Sequence, residues 1–135
     1  MAQFENKYLG DLRTEATHLK SGNKILTDAP IDNNGKGEAF SPTDLVCAAL
    51  SACMMTIMGI KANQEGIEIK GMRSEINKSM TSSPTKISAI EISFVHPNPS
   101  VLSEEQKDVL KKAAHTCPVA LSIHPEIKQN ISFNF

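Results

Sequence analysis

The stretch Ser41-Pro42-Thr43-Asp44-Leu45-Val46-Cys47-Ala48-Ala49-Leu50-Ser51-Ala52-Cys53 opens the longest apolar segment of the chain, which continues to Ile60. Ser41 has a side chain suited to capping a helix, and Pro42 suits the first helical position. Asp44 puts a carboxylate in the first turn, where the positive end of the helix favours it. These residues predict a helix running to about Asn63 and stopped by Gln64-Glu65-Gly66. Apolar residues cover nearly every face of it, and such a helix has to be buried all round. In a chain of 135 residues one small sheet covers only one side, so a second copy is the natural source of the missing cover. The run 45–60 is shorter than the ~20 residues of a membrane span. It reads as the core helix of a homodimer with no membrane partner.

On the N-terminal side, residues 8–19 mix Leu9, Leu12, Thr14, Thr17 and Leu19 with charges in rough alternation and read as one half-exposed strand. Ser21-Gly22-Asn23 supplies turn chemistry before a second strand from Lys24, and residues 28–37 (DAPIDNNGKG) read as a loop. On the C-terminal side, residues 67–78 and 86–96 read as two strands joined through Met80-Thr81-Ser82-Ser83-Pro84. In the first of them the apolar positions change parity at Gly71, which predicts a bulge there. Ile90, Ile92 and Phe94 share one face of the second.

Ser103-Glu104-Glu105-Gln106 is a capping box. It opens a helix whose inner stripe is Val109, Leu110, Ala113, Ala114 and Cys117. Pro118 breaks that helix, residues 118–123 form another short turn, and residues 130–135 form a closing strand. The order β-β-α-β-β-α-β gives an α+β fold with a largely antiparallel sheet, in a single domain over residues 1–135.

Lys and Arg total 14 against 15 Asp and Glu, a net charge of −1 without a basic tract, so no nucleic-acid footprint is visible. Residues 1–7 lack the apolar core of a signal peptide, which makes a cytoplasmic location the expectation. Three Cys in such a chain argue for thiols rather than a disulfide framework.

Cys53 falls on the third turn of the apolar helix. Cys47 is six residues earlier, about 240° around the axis, so the two do not face each other. Cys117 precedes Pro118 at the start of a helical turn, where backbone N–H groups favour a thiolate. Two readings stand side by side: Cys53 and Cys117 form a redox pair from two packed helices, or all three cysteines are small core residues. Cys47 is read as core. No CxxC, HxxxH or HExxH occurs, and His115 with Cys117 cannot close a tetrahedral metal site alone. His18, His96 and His124 are scattered over strand ends and loops, and none is placed near Cys53. Arg13 and Arg73 are the only arginines. A planar guanidinium is the side chain best suited to hold a thiolate and a peroxide oxygen, and Arg13 is the preferred candidate.

The run Pro42-Thr43-Asp44-Leu45 followed by Ala48-Ala49-Leu50-Ser51-Ala52-Cys53, with eleven positions from Pro42 to Cys53, resembles the signature helix of the OsmC/Ohr family. His115-Thr116-Cys117-Pro118-Val119-Ala120, 64 positions further on, resembles its second cysteine motif. The resemblance covers nearly the whole chain, from about Tyr8 to Phe135. It implies an intertwined homodimer in which the sheets of both subunits wrap two long central helices.

It also implies a thiol-dependent peroxidase of organic hydroperoxides. Cys53 would be the peroxidatic thiolate and Cys117 the resolving thiol, with a dithiol such as dihydrolipoamide as reductant and no metal or organic cofactor. In the family's best-characterised peroxidase branches a Glu directly follows the motif proline and orients a catalytic Arg. Here that position is Thr43, and residues 28–41 contain no Arg, which places the chain closer to a less characterised branch. Two other functions fit the same residues. One is a non-catalytic dimer binding a small apolar or thiol-reactive ligand, and the other is a general thiol–disulfide oxidoreductase.

Overall fold

The structure, a computed structural model, describes residues 1–135. The chain clusters into two compact units, Met1–Val46 and Cys47–Phe135.

The first unit is a three-stranded antiparallel sheet, β1 (Phe4–Gly10), β2 (Arg13–His18) and β3 (Lys24–Asp28), in that order. The expected single strand over residues 8–19 is therefore two strands and a turn. Gly10, Asp11 and Leu12 all take positive φ values of 87°, 53° and 62°, and three successive left-handed residues reverse the chain. The alternation that suggested one strand comes from the end of β1 and all of β2. The Ser21-Gly22-Asn23 turn and the strand from Lys24 form as read. Beyond β3 the loop contains one short 3-10 turn, Ile31–Asn33. The buried residues of this unit are Thr27, Asp28 and Ser41, all polar.

Helix α1 (Pro42–Glu65) starts where its sequence directs. The Asp44 N–H donates to Ser41 Oγ at 3.1 Å and the Ser41 N–H donates to Asp44 Oδ2 at 3.0 Å, a reciprocal cap. At its far end Gly66 adopts φ 69° and the Ile67 N–H reaches back to the Ala62 carbonyl at 2.8 Å, so glycine ends the helix as expected. At 24 residues α1 is long and apolar enough to cross a membrane by length and composition, which the run 45–60 alone did not reach. The expectation of burial on all sides does not hold within one chain. Cys47, Leu50, Ser51, Met54, Met58 and Ala62 form the buried stripe, while Ala49, Ala52, Thr56 and Ile60 are exposed.

In the second unit β4 (Arg73–Ser82), β5 (Thr85–Val95) and β6 (Lys128–Asn134) form a sheet in that order. β4 begins at Arg73 rather than Ile67. Gly71, at φ 88°, sits in a turn closed by the Met72 N–H on the Ile69 carbonyl at 2.9 Å, so residues 67–72 do not pair. The irregularity expected at Gly71 instead falls between Ser79 and Met80. β6 runs parallel to β5, a departure from an all-antiparallel sheet, because α2 (Glu104–Ala114) and α3 (Pro118–Ser122) form the crossover between them. The Ser103–Gln106 capping box is present, with bonds of 3.0 and 3.1 Å.

Ile90, Ile92 and Phe94 share one face of β5 and are fully buried, as the alternation required. They share a core with Leu50, Met54 and Met58 of α1 and with Leu110 and Ala114 of α2. Phe94 stacks on Phe133 of β6 with centroids 5.6 Å apart. The result is an α+β fold with two sheets.

Candidate thiol site

Cys53 is carried by α1 between Leu50 and Met54, whose full burial orients the helix and leaves the Cys53 side chain half-buried. Cys117 is fully buried. It caps α3, and its Sγ accepts the Ala120 N–H at 3.2 Å. The Cys53 thiol lies near enough to raise its pKa, and Cys53 packs against the core cluster that contains Cys117. Helices α1 and α3 thus bring together two cysteines that are 64 positions apart in sequence, and all three cysteines are thiols. Cys47, on the buried stripe of α1, belongs to the core.

The expectation of a thiolate at Cys117 is overturned. Burial pushes its pKa up, the Cys53 thiol pushes it further, and the Ala120 and Val119 amides pull it down by less. A five-residue helix presents too few aligned peptide units to outweigh the desolvation of a fully enclosed sulfur.

Arg13 is held within the first unit. Its Nε and Nη2 donate to the two oxygens of Asp28 at 2.7 and 2.8 Å, and Nη2 also donates to Glu38 at 3.0 Å. Arg13 and Asp28 are cross-strand partners of β2 and β3, and the Asp28 side chain has no exposed area. The guanidinium holds the Asp28 carboxyl below its ordinary range. Arg73 lies on the surface beside Glu75 at 3.3 Å.

A carboxyl with a depressed folded-state pKa contributes stability that is present above its unfolded pKa of 3.8 and is lost as pH falls through the folded value. Asp28→Asn is therefore expected to be less stable than the parent at neutral pH, with the gap narrowing below about pH 4. Urea unfolding at several pH values measures it, and a gap independent of pH would refute the assignment.

No three His, Cys, Asp or Glu side chains converge as a metal cluster. His115 packs edge-on to Phe133 at 5.9 Å, and His96 bridges the Glu68 carbonyl and the Asn98 N–H. Between α1 and α2 an open groove of about 340 Å³ is lined by Ile57, Ile60, Val109 and Ala113, with Lys61 and Lys112 among its polar residues. Ile57 is one turn along α1 from Cys53, and Thr116, another lining residue, adjoins Cys117.

Sequence reasoning missed Asp28, which it placed in a loop. Arg13 and Asp28 pair through the β2–β3 hairpin closed by the Ser21–Asn23 turn, and β3 runs one residue further than the run of turn formers from Asp28 suggests. It also missed Gln129, whose Nε2 donates to the Ala120 carbonyl of α3 at 3.0 Å.

Two thiols from separate helices on an α+β scaffold define a dithiol protein. A family model described as OsmC-like protein matches residues 35–132, and the chain belongs to that family. A Psychrobacter arcticus 273-4 protein named for osmotic stress induction and a detoxification response is 46% identical. The match covers 99% of this chain and 96% of the other, with a TM-score of 0.94. A Legionella pneumophila organic hydroperoxide resistance protein OsmC is similar in fold at 20% identity and TM-score 0.67, with 98% and 95% covered. The organic hydroperoxide resistance protein OhrB of Bacillus subtilis is similar at 17% identity and TM-score 0.66, with 99% and 98% covered. Among curated proteins none matches the chain.

Proposed function

We propose that this protein is a thiol-dependent peroxidase that reduces organic hydroperoxides through Cys53 and Cys117. The observation that carries the reading is that a half-buried thiol on α1 packs against the core holding a fully buried thiol at the start of α3, near enough to help raise its pKa. The names of the Legionella and Bacillus relatives support the substrate class.

The Cys53 thiolate attacks the O–O bond of ROOH. The S–O bond forms as the O–O bond breaks, leaving Cys53 sulfenic acid and an alkoxide that takes a proton to become the alcohol. The Cys117 sulfur then displaces hydroxide from the sulfenic sulfur. Its proton leaves with that oxygen as water, and a Cys53–Cys117 disulfide results. A dithiol reductant of the dihydrolipoamide kind returns both thiols and is itself oxidised. Reduced thiols at rest suit a cytoplasmic setting.

The raised pKa of Cys117 suits this division of labour, because the resolving sulfur keeps its proton until the sulfenic acid forms. The groove beside Ile57 and Val109 suits the apolar part of an organic hydroperoxide. Arg13 is proposed as the activating arginine. Asp28 and Glu38 engage its Nε and Nη2 and fix the orientation of the guanidinium.

One equivalent of cumene hydroperoxide added to the reduced protein, followed by thiol titration and peptide mapping, tests the reading. The expected result is the loss of two thiols and a Cys53–Cys117 linkage. Full retention of thiols in the folded protein would leave a ligand-binding dimer as the function.

A further inference from the structure

Helix α3 has only five residues, too few to be stable through its own hydrogen bonds. Its first residue, Pro118, has no N–H to give. Its final carbonyls are the orphans of any helix end, and Ala120 is one of them because the helix stops at Ser122. Gln129, near the start of β6 and paired with Ile90 of β5, reaches across and donates its amide Nε2 to that carbonyl at 3.0 Å. The same Ala120 presents its N–H to Cys117 Sγ at 3.2 Å. One residue is therefore held from the sheet by its carbonyl and holds the buried sulfur by its amide.

Resting on the peroxidase reading above, we propose that Gln129 is a positioning residue for the second half of the cycle, fixing α3 so that Cys117 Sγ faces the Cys53 sulfenic acid. Gln129 acts through Ala120 and touches neither sulfur. Its role belongs to one step: the displacement in which the S–S bond forms, the S–O bond of Cys53 breaks and water leaves. The first step, attack of Cys53 on ROOH, takes place on α1 and does not call on Gln129.

The two steps can be read apart. Rapid mixing of the reduced protein with cumene hydroperoxide, sampled into a sulfenic-acid trap and mapped by mass, gives the rate at which Cys53 sulfenic acid appears and the rate at which the disulfide replaces it. In Gln129→Met, which keeps the side chain's length without its donor, disulfide formation is expected to slow about tenfold, as loss of one well-placed hydrogen bond allows. The appearance of sulfenic acid should be unchanged. Gln129→Glu, which sets an acceptor against the Ala120 carbonyl, should slow the same step at least as much.

A general loosening of the fold would slow both steps together, and that outcome would overturn the proposal. So would unchanged rates in both variants. Failure of the peroxidase reading looks different, because the parent protein itself would then accumulate neither sulfenic acid nor disulfide.

Discussion

Hydroperoxide consumption is expected to fall to background in Cys53→Ser, whereas Cys117→Ser should consume a single equivalent and stop. The difference follows from where the two sulfurs sit. Cys53 is the half-buried member and can meet a substrate, and a serine hydroxyl at that position remains protonated and does not attack an O–O bond. Cys117 has no exposed area and a pKa pushed up by burial, so it is a poor first nucleophile and enters only when Cys53 carries oxygen. Serine at position 117 keeps the cap on α3, since a hydroxyl oxygen accepts a backbone N–H at least as well as sulfur does. The variant should therefore fold and accumulate a Cys53 sulfenic acid that a nucleophilic trap captures. Each variant is assayed for peroxide loss and for trapped adduct by mass. Equal and complete loss in both, with no adduct in Cys117→Ser, would reduce the pair to a packing feature of the core.

Those elements whose local chemistry and burial agree could be read from the sequence. The cap residues Ser41, Pro42 and Asp44 started α1, Ser103 and Gln106 started α2, and alternation placed Ile90, Ile92 and Phe94 inward. Cys117 before Pro118 marked the start of α3. Where a turn depends on backbone angles that its residues rarely adopt, the sequence carries little signal. Leu12 at φ 62° is such a case, and it separates β1 from β2. Asp28 was hidden for another reason: it ends β3 but also opens the turn-forming run DAPIDNNGKG.

Gly71 misled in a different way, because glycine serves a bulge and a turn equally well. The parity change there marked the end of a loop instead. The Cys117 pKa was misjudged because the sequence announces a helix N-terminus but not the enclosure around it. Gln129 carried no signal at all, since a glutamine on an alternating strand has no cue for the carbonyl it meets.

Sedimentation is expected to return a single species of twice the 14.7 kDa chain mass, the homodimer proposed from the sequence, and Ala49→Glu combined with Thr56→Glu should convert it to monomer. Two observations support the dimer. The first unit buries no apolar side chain, while Phe4, Tyr8, Leu9 and Ile25 lie exposed on its sheet. The outward face of α1, formed by Ala49, Ala52, Thr56 and Ile60, carries no charge, and soluble proteins rarely leave such a helix face bare. Charged side chains on that face would be costly against a partner and harmless in water, so the double variant should keep its fold as it dissociates. A parent protein that sediments as a monomer at micromolar concentration would refute the dimer, and dispersal only with detergent would assign the α1 face to a membrane. Because Cys53 lies on α1 between Ala49 and Thr56, a second copy covering this face would also narrow the access of water to the thiol.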